Sequence, residues 1–203
     1  MKYSTAVRRL GSVADGLSMI DGVDALEVTD AYVFGELLDG PESLDVVSVA
    51  FVVDLPVDEV PWRSRSVALE ALASLMRLDK VPVDRLWRPA GWPVWNHAIV
   101  RAVRFWSRSD GTDADVLALL GEHRFDDLAY VGPPGRERYL EQLRIERAAA
   151  RRHLRHVLDR YHDRDWQRAH RSYTMYPEDH LWWAAEAFVE LDDAIRDELA
   201  DQD

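Results

Sequence analysis

The chain contains no cysteine, which excludes disulfides, thiolate zinc sites and a cysteine nucleophile and fits a reducing compartment. It has no apolar run near the roughly 18 residues that a membrane span requires. Its first stretch, "MKYSTAVRRLGSVADGLSMI", lacks the apolar core of a secretory signal. The sequence therefore reads as a soluble, cytoplasmic protein. Internal repeats and low-complexity tracts are also missing. So are a phosphate-loop consensus, a Gly-x-Ser-x-Gly elbow, a His-Glu-x-x-His pair and a dinucleotide fingerprint, and with them the commoner enzyme classes. Positive charge is scarce: 25 Lys plus Arg face 37 Asp plus Glu, for a formal charge of -12. That balance argues against nucleic acid as a partner.

What is present is enough material for a core. With 203 residues, 47% of them hydrophobic, the chain has the size of one large domain or a medium one with a helical annex. Residues 3 to about 20 place Val7, Leu10, Val13, Leu17 and Ile20 at helical spacing. Residues 26–34 read as a strand ending at Gly35. "VVSVAFVVDL", residues 46–55, is β-branched and apolar like a strand covered on both faces. Ser64 or Ser66 caps a helix "VALEALASLMRL". Residues 80–87 and 96–107 read as two further strands, the second with a helix as its alternative. Thr112 and Asp115 form a capping box for "DADVLALLGEH".

The composition changes at "VGPPG", residues 131–135, which divides a core at 1–130 from a helical region at 131–203. In that region Leu140, Leu143, Ala150, Leu154, Val157 and Tyr161 form one stripe, interrupted by Arg147. Pro177 opens a last helix with Leu181, Ala184, Phe188, Leu191, Ile195 and Leu199 on one face. The stripes predict an antiparallel helix pair, packed on the core or on a second subunit. Residues 136–176 hold 11 Arg against 6 acids, whereas the rest holds 14 cations against 31 acids. Such asymmetry marks either a partner-facing element or a solvated, ion-paired face. His153, His156, His162 and His170 fall in this arginine-rich helix, where nothing completes a metal site.

Two stretches invite a functional reading. "LWRPAGWPVWNH", residues 86–97, sets three tryptophans among prolines. It is either a lid on the core edge or the lining of a ligand cleft. The other is "AYVFGELLDGPESLDVVSVAFVVDL", residues 31–55: strand, glycine turn, short helix, acidic loop, long strand.

That order resembles the nucleotidyltransferase superfamily, in particular minimal and aminoglycoside-modifying members, over residues 3 to 107. The resemblance implies an α+β fold, a small mixed sheet flanked by helices, with the helix pair following it. Gly35, Glu36 and Gly40 correspond to the phosphate-facing turn. Asp45 corresponds to the first acid of an Asp-x-Asp pair, and Asp84, in "VPVDRL", to the third acid. In the family such acids hold magnesium on a triphosphate. Here Glu36 replaces the usual serine and Val47 replaces the second acid, so the motif is degenerate. The expectation is a catalytically reduced relative that binds a nucleotide or a protein partner. Its alternatives are an active magnesium-dependent nucleotidyltransferase using Asp45 and Asp84, and an antitoxin-like or dimeric interaction protein.

Overall fold

The computed structural model describes residues 1–20, 28–78, 81–171 and 175–200. The first helix, α1 (Tyr3–Ile20), buries Leu10, Val13 and Leu17 as its spacing predicts. Strand β1 (Val28–Phe34) turns through a short 3-10 helix (Gly35–Asp39) and a loop into β2 (Val47–Val53), its antiparallel neighbour. Helix α2 (Val67–Leu75) starts at Ser66, whose hydroxyl accepts from the Leu69 amide at 3.2 Å. It carries the chain over to β3 (Val83–Pro89), which lies parallel to β2. Strand β4 (Ala102–Ser107) then pairs antiparallel with the other side of β1. Two-residue strands β5 (Gly111–Thr112) and β6 (Tyr130–Val131) both pair with β4, with helix α3 (Ala114–Gly121) between them. The sheet order is β3-β2-β1-β4-β5, so the fold is α+β with a mixed sheet, as expected. The start of the expected strand at residues 26 and 27, and Lys80, lie outside the described residues.

The sheet is covered on both sides, which is why β2 is apolar almost throughout. On one side Val33, Val49, Phe51, Val103 and Phe105 pack with α1, α2 and α3. On the other, Phe34, Ala50, Val52 and Ala102 pack against the helix pair α4 (Arg136–Arg160) and α6 (Pro177–Ala200). Leu143 and Ala150 of α4 and Ala187, Leu191 and Ile195 of α6 join that second cluster. The pair is antiparallel, with Arg136 near Glu198 at 3.2 Å and Arg147 near Asp192 at 2.9 Å. These contacts, with Arg152 to Asp58 at 2.6 Å, place several of the clustered arginines beside acids of the same chain. Among the described residues no helix is long and apolar enough to cross a membrane.

Four local readings are corrected. Residues 96–101 are not strand, because the Asn96 side chain accepts from the Ala98 and Ile99 amides at 3.0 and 3.1 Å and folds the chain into a turn. The cap of α3 is Asp113, which accepts from Val116 at 3.0 Å, while Thr112 is held in β5 opposite Trp106. His162 and His170 lie beyond α4, because Asp163 caps a separate helix α5 (Arg164–Ala169). The polar residues buried along the α4 stripe are Gln142 and the fully buried Glu146, while Arg147 sits on the flank beside Asp192.

Candidate ligand-binding site

The tryptophan-rich loop is fastened from within. Arg88 lies opposite Val52 in the β2–β3 ladder and so points toward α4. Its guanidinium grips both Glu146 oxygens at 2.8 and 2.6 Å, with both side chains fully buried. Arg88 also donates to the Pro93 carbonyl at 2.8 Å, and Asn96 and Gln142 donate to Glu146 at 3.1 and 3.0 Å. The guanidinium faces the rings of Trp62 and Trp92 at 5.8 and 5.7 Å. Trp62, Trp87 and Trp95 are all buried. The loop is thus a lid sewn to α4, and the open surfaces lie to either side of its anchor.

Those surfaces meet at Arg63. Its φ of 55° puts it in the left-handed region, uncommon for a residue with a side chain. Two acids of α6 hold it there, Glu190 at 2.6 Å and Glu186 at 3.8 Å. Burial disfavours the Glu190 carboxylate, but the facing His97, Arg63 and Trp62 outweigh it and bring its pKa down to about 2. On one side of Arg63 a cleft of ≈ 500 Å³ runs past His97, Tyr139, Glu190 and Asp193. On the other side a smaller pocket of ≈ 30 Å³ lies along β3, the outermost strand of the sheet. Besides Arg63, it is lined by Ser64, Arg65, Asp84, Arg85, Trp87 and Trp183. Arg65 stacks over Trp183 at 4.9 Å, and Arg85 pairs with Glu70 of α2 at 2.5 Å.

The residues singled out from the sequence are distributed as follows. Gly35 has φ of +73°, and a Cβ there would come 3.6 Å from Ser48 Oγ. Ser48 stands opposite Phe34 on β1 and opposite Asp84 on β3, so Gly35, Ser48 and Asp84 share one end of the sheet. Gly40, with φ of +65°, closes the 3-10 turn, and a Cβ there would meet Phe125 at 2.8 Å. Glu36 and Asp45 are exposed. The loop carrying Asp45 is tied to the chain start, with Met1 donating to the Leu44 carbonyl and the Tyr3 amide donating to Glu42 at 3.2 Å. Val47 pairs with Val83 and is fully buried in the layer beneath α1 and α2. Successive residues of a strand face opposite ways, so Val47 and Asp84 stand on opposite faces. Among the described residues no hydrogen bond or ion pair joins Asp45 to Asp84. Nor does any group of three His, Asp or Glu side chains converge on a metal position.

Arg63, Ser64 and Arg65 went unnoticed in the sequence except as a possible cap. The legible signal was "RSRS", two cations alternating with hydroxyls just before a helix. The histidines gather around Trp166 instead, with His170 stacked on it at 4.1 Å and His180 meeting His170 edge-on at 4.9 Å. Burial and the imidazoles of His156, His180 and His170 hold His153 down at about 4. Burial and His170 do the same for His180, against the pull of Asp179.

A family described as "Domain of unknown function (DUF7711)" matches residues 1–197. The chain belongs to that family. No curated protein matches it. One solved structure, of a "putative nucleotidyltransferase" from Sulfolobus solfataricus, is similar at 18% identity with a TM-score of 0.40, over 56% of this chain and 96% of that one.

Proposed function

We propose that the protein binds a phosphorylated small molecule, a nucleotide in the first instance, and does not itself transfer nucleotides. The observation that supports this is the company of Asp84, which shares its pocket with Arg63, Arg65 and Arg85. Metal-assisted phosphoryl chemistry needs carboxylates that converge on a divalent ion. In that lining Asp84 is the one carboxylate among the described residues, set near the Arg63 guanidinium and beside Arg65, and the position of the usual second acid is taken by Val47, which is buried in the core, so the site lacks the converging acids that magnesium needs. The residues present do not fit magnesium.

Thermal melting of the full chain with ATP, in EDTA and then with magnesium, tests this reading. A ligand at 100 times its Kd adds about 2.7 kcal/mol, or roughly 5–10 °C for a chain of this size. The expected result is a rise in EDTA that magnesium leaves unchanged and Arg65→Ala removes. A rise that depends on magnesium and disappears in Asp84→Asn would show a working metal site and overturn the proposal.

A further inference from the structure

The two long helices of the chain carry opposite charge. Helix α4 has eight arginines against four acids, whereas α6 has eight acids against one arginine. Part of this charge is answered within the chain, by Arg147 with Asp192, Arg136 with Glu198 and Arg152 with Asp58. Arg144, Arg151 and Arg155 are exposed and have no carboxylate partner among the described residues. An α-helix turns about 100° per residue, so positions seven and eleven apart return to within about 20° of the same direction. The three arginines therefore form one stripe, roughly 16 Å long, pointing away from the buried Glu146, Ala150 and Val157. On α6 the same geometry aligns Trp182, Glu186, Val189 and Asp193, opposite the buried Ala184, Ala187 and Leu191. Trp182 is 66% exposed and Val189 53%.

Both helices put their inner sides into the cluster beneath the sheet, so the two stripes lie side by side on the surface turned away from it. Leu158, 48% exposed, and the half-buried Ala185 lie in the seam between them. The face is thus basic along one side, acidic along the other and apolar in the seam. Helices of 25 and 24 residues are about 36 Å long and together about 20 Å wide, giving roughly 700 Å². That is close to the roughly 800 Å² that each partner brings to a standard interface. A nucleic-acid backbone laid along the arginines would meet the acids of α6 about one helix diameter away. A second copy of the chain offers acids to the arginines and arginines to the acids at once, with Trp182 and Val189 covered between them.

We propose that this face pairs with the same face of a second copy in a two-fold dimer, with α4 of each chain lying on α6 of the other. The charges choose the axis. A two-fold running across the helices would set arginines on arginines. One running parallel to them exchanges the basic and acidic sides at unchanged height, so each α4 lies antiparallel to the partner's α6. The contact of Arg147 with Asp192 at 2.9 Å fixes the heights. Arg144 then comes level with the partner's Asp193 and Arg151 with the partner's Val189. Arg155 comes level with the partner's Trp182, a pairing that cation–π attraction favours. The inference is independent of the ligand reading.

The test is sedimentation equilibrium of the full chain over about 1–100 μM, where interfaces of this size already associate. The mass should rise from the 23.3 kDa of one chain toward twice that value. Trp182→Ala should weaken the dimer at least about thirtyfold, the scale of a hot-spot tryptophan. Arg144→Glu and Asp193→Arg each turn two attractive contacts into repulsive ones, and each should weaken it at least about tenfold. An equimolar mixture of those two variants should regain the dimer. In the mixed pair one contact is native and the other is reversed on both sides. Circular dichroism and the urea midpoint establish that each variant is folded. A monomer throughout the concentration range overturns the proposal. A dimer indifferent to Trp182→Ala and Arg144→Glu uses another surface and overturns it as well. A mixture no tighter than either variant alone overturns the pairing of α4 with the partner's α6. A monomer that binds an oligonucleotide, and loses it in Arg151→Glu, makes the basic stripe a nucleic-acid contact and likewise overturns the dimer.

Discussion

Replacing Glu146 by alanine removes the acceptor at the centre of the buried network beneath the tryptophan-rich loop. Four donated hydrogen bonds end on its carboxylate, two from Arg88 and one each from Asn96 and Gln142. Arg88 is fully buried, so the substitution strands a guanidinium with only the Pro93 carbonyl to receive it. Breaking a buried pair from one side costs about 3–5 kcal/mol. With a urea m-value of about 2–3 kcal/mol/M for a chain of this size, the midpoint should fall by roughly 1–2.5 M. The double replacement Arg88→Met with Glu146→Leu removes both charges and keeps the volume, and such swaps are often close to neutral. Here Asn96 and Gln142 each lose an acceptor, so recovery is partial, to about half the single-variant loss or better. Urea unfolding followed by circular dichroism reads all three chains. If Glu146→Ala shifts the midpoint by less than about 0.5 M, or if the double variant is no better than the single, the stranded-charge reasoning is refuted.

Two further outcomes follow from other regions. His153 and His180 titrate near 6.5 when free and near 4 in the folded chain. Between those values the unfolded chain binds the extra protons, so stability is complete above about pH 6.5 and declines as pH falls to about 4, by at most about 1.4 kcal/mol per pH unit for each group. Urea midpoints at about pH 7 and about pH 4.5 should differ less in His180→Gln than in the natural chain; an equal difference would exclude His180 as a contributor. Glycines 40 and 111 both have positive φ, but only Gly40 has a neighbour, Phe125 at 2.8 Å, where a Cβ would go. Gly111→Ala should therefore cost about 1 kcal/mol in thermal melts and Gly40→Ala about 2–3 kcal/mol; equal costs would mean that Phe125 yields freely.

Much of the scaffold was legible because its signals are local. Ser66 caps α2, Pro177 opens α6, and the β-branched run of β2 predicts cover on both faces, all from a few neighbouring residues. What escaped depends on partners far along the chain. Nothing near Glu146 says that Arg88, 58 positions earlier, will meet it, so the polar interruption of the α4 stripe was assigned to Arg147 instead. The opposed faces of Val47 and Asp84 are likewise a matter of strand register, since a shift of one residue would exchange them. The candidate site suffered most. Arg63 and Arg65 come from the loop before α2, Arg85 and Trp87 from β3 and Trp183 from α6, and only the assembled fold places Ser64, Asp84 and Trp183 around one pocket.

The arrangement of α6 over the sheet has a consequence for how the protein is made. This helix comes after the whole sheet and after α4, yet it helps cover Phe34, Ala50, Val52 and Ala102 and supplies the acids opposite Arg136 and Arg147. On the ribosome, the growing polypeptide has a complete sheet well before it has that covering helix. For the interval in which α6 is still being synthesised, a greasy sheet face and a cationic α4 are presented together to solvent or to any chaperone at hand.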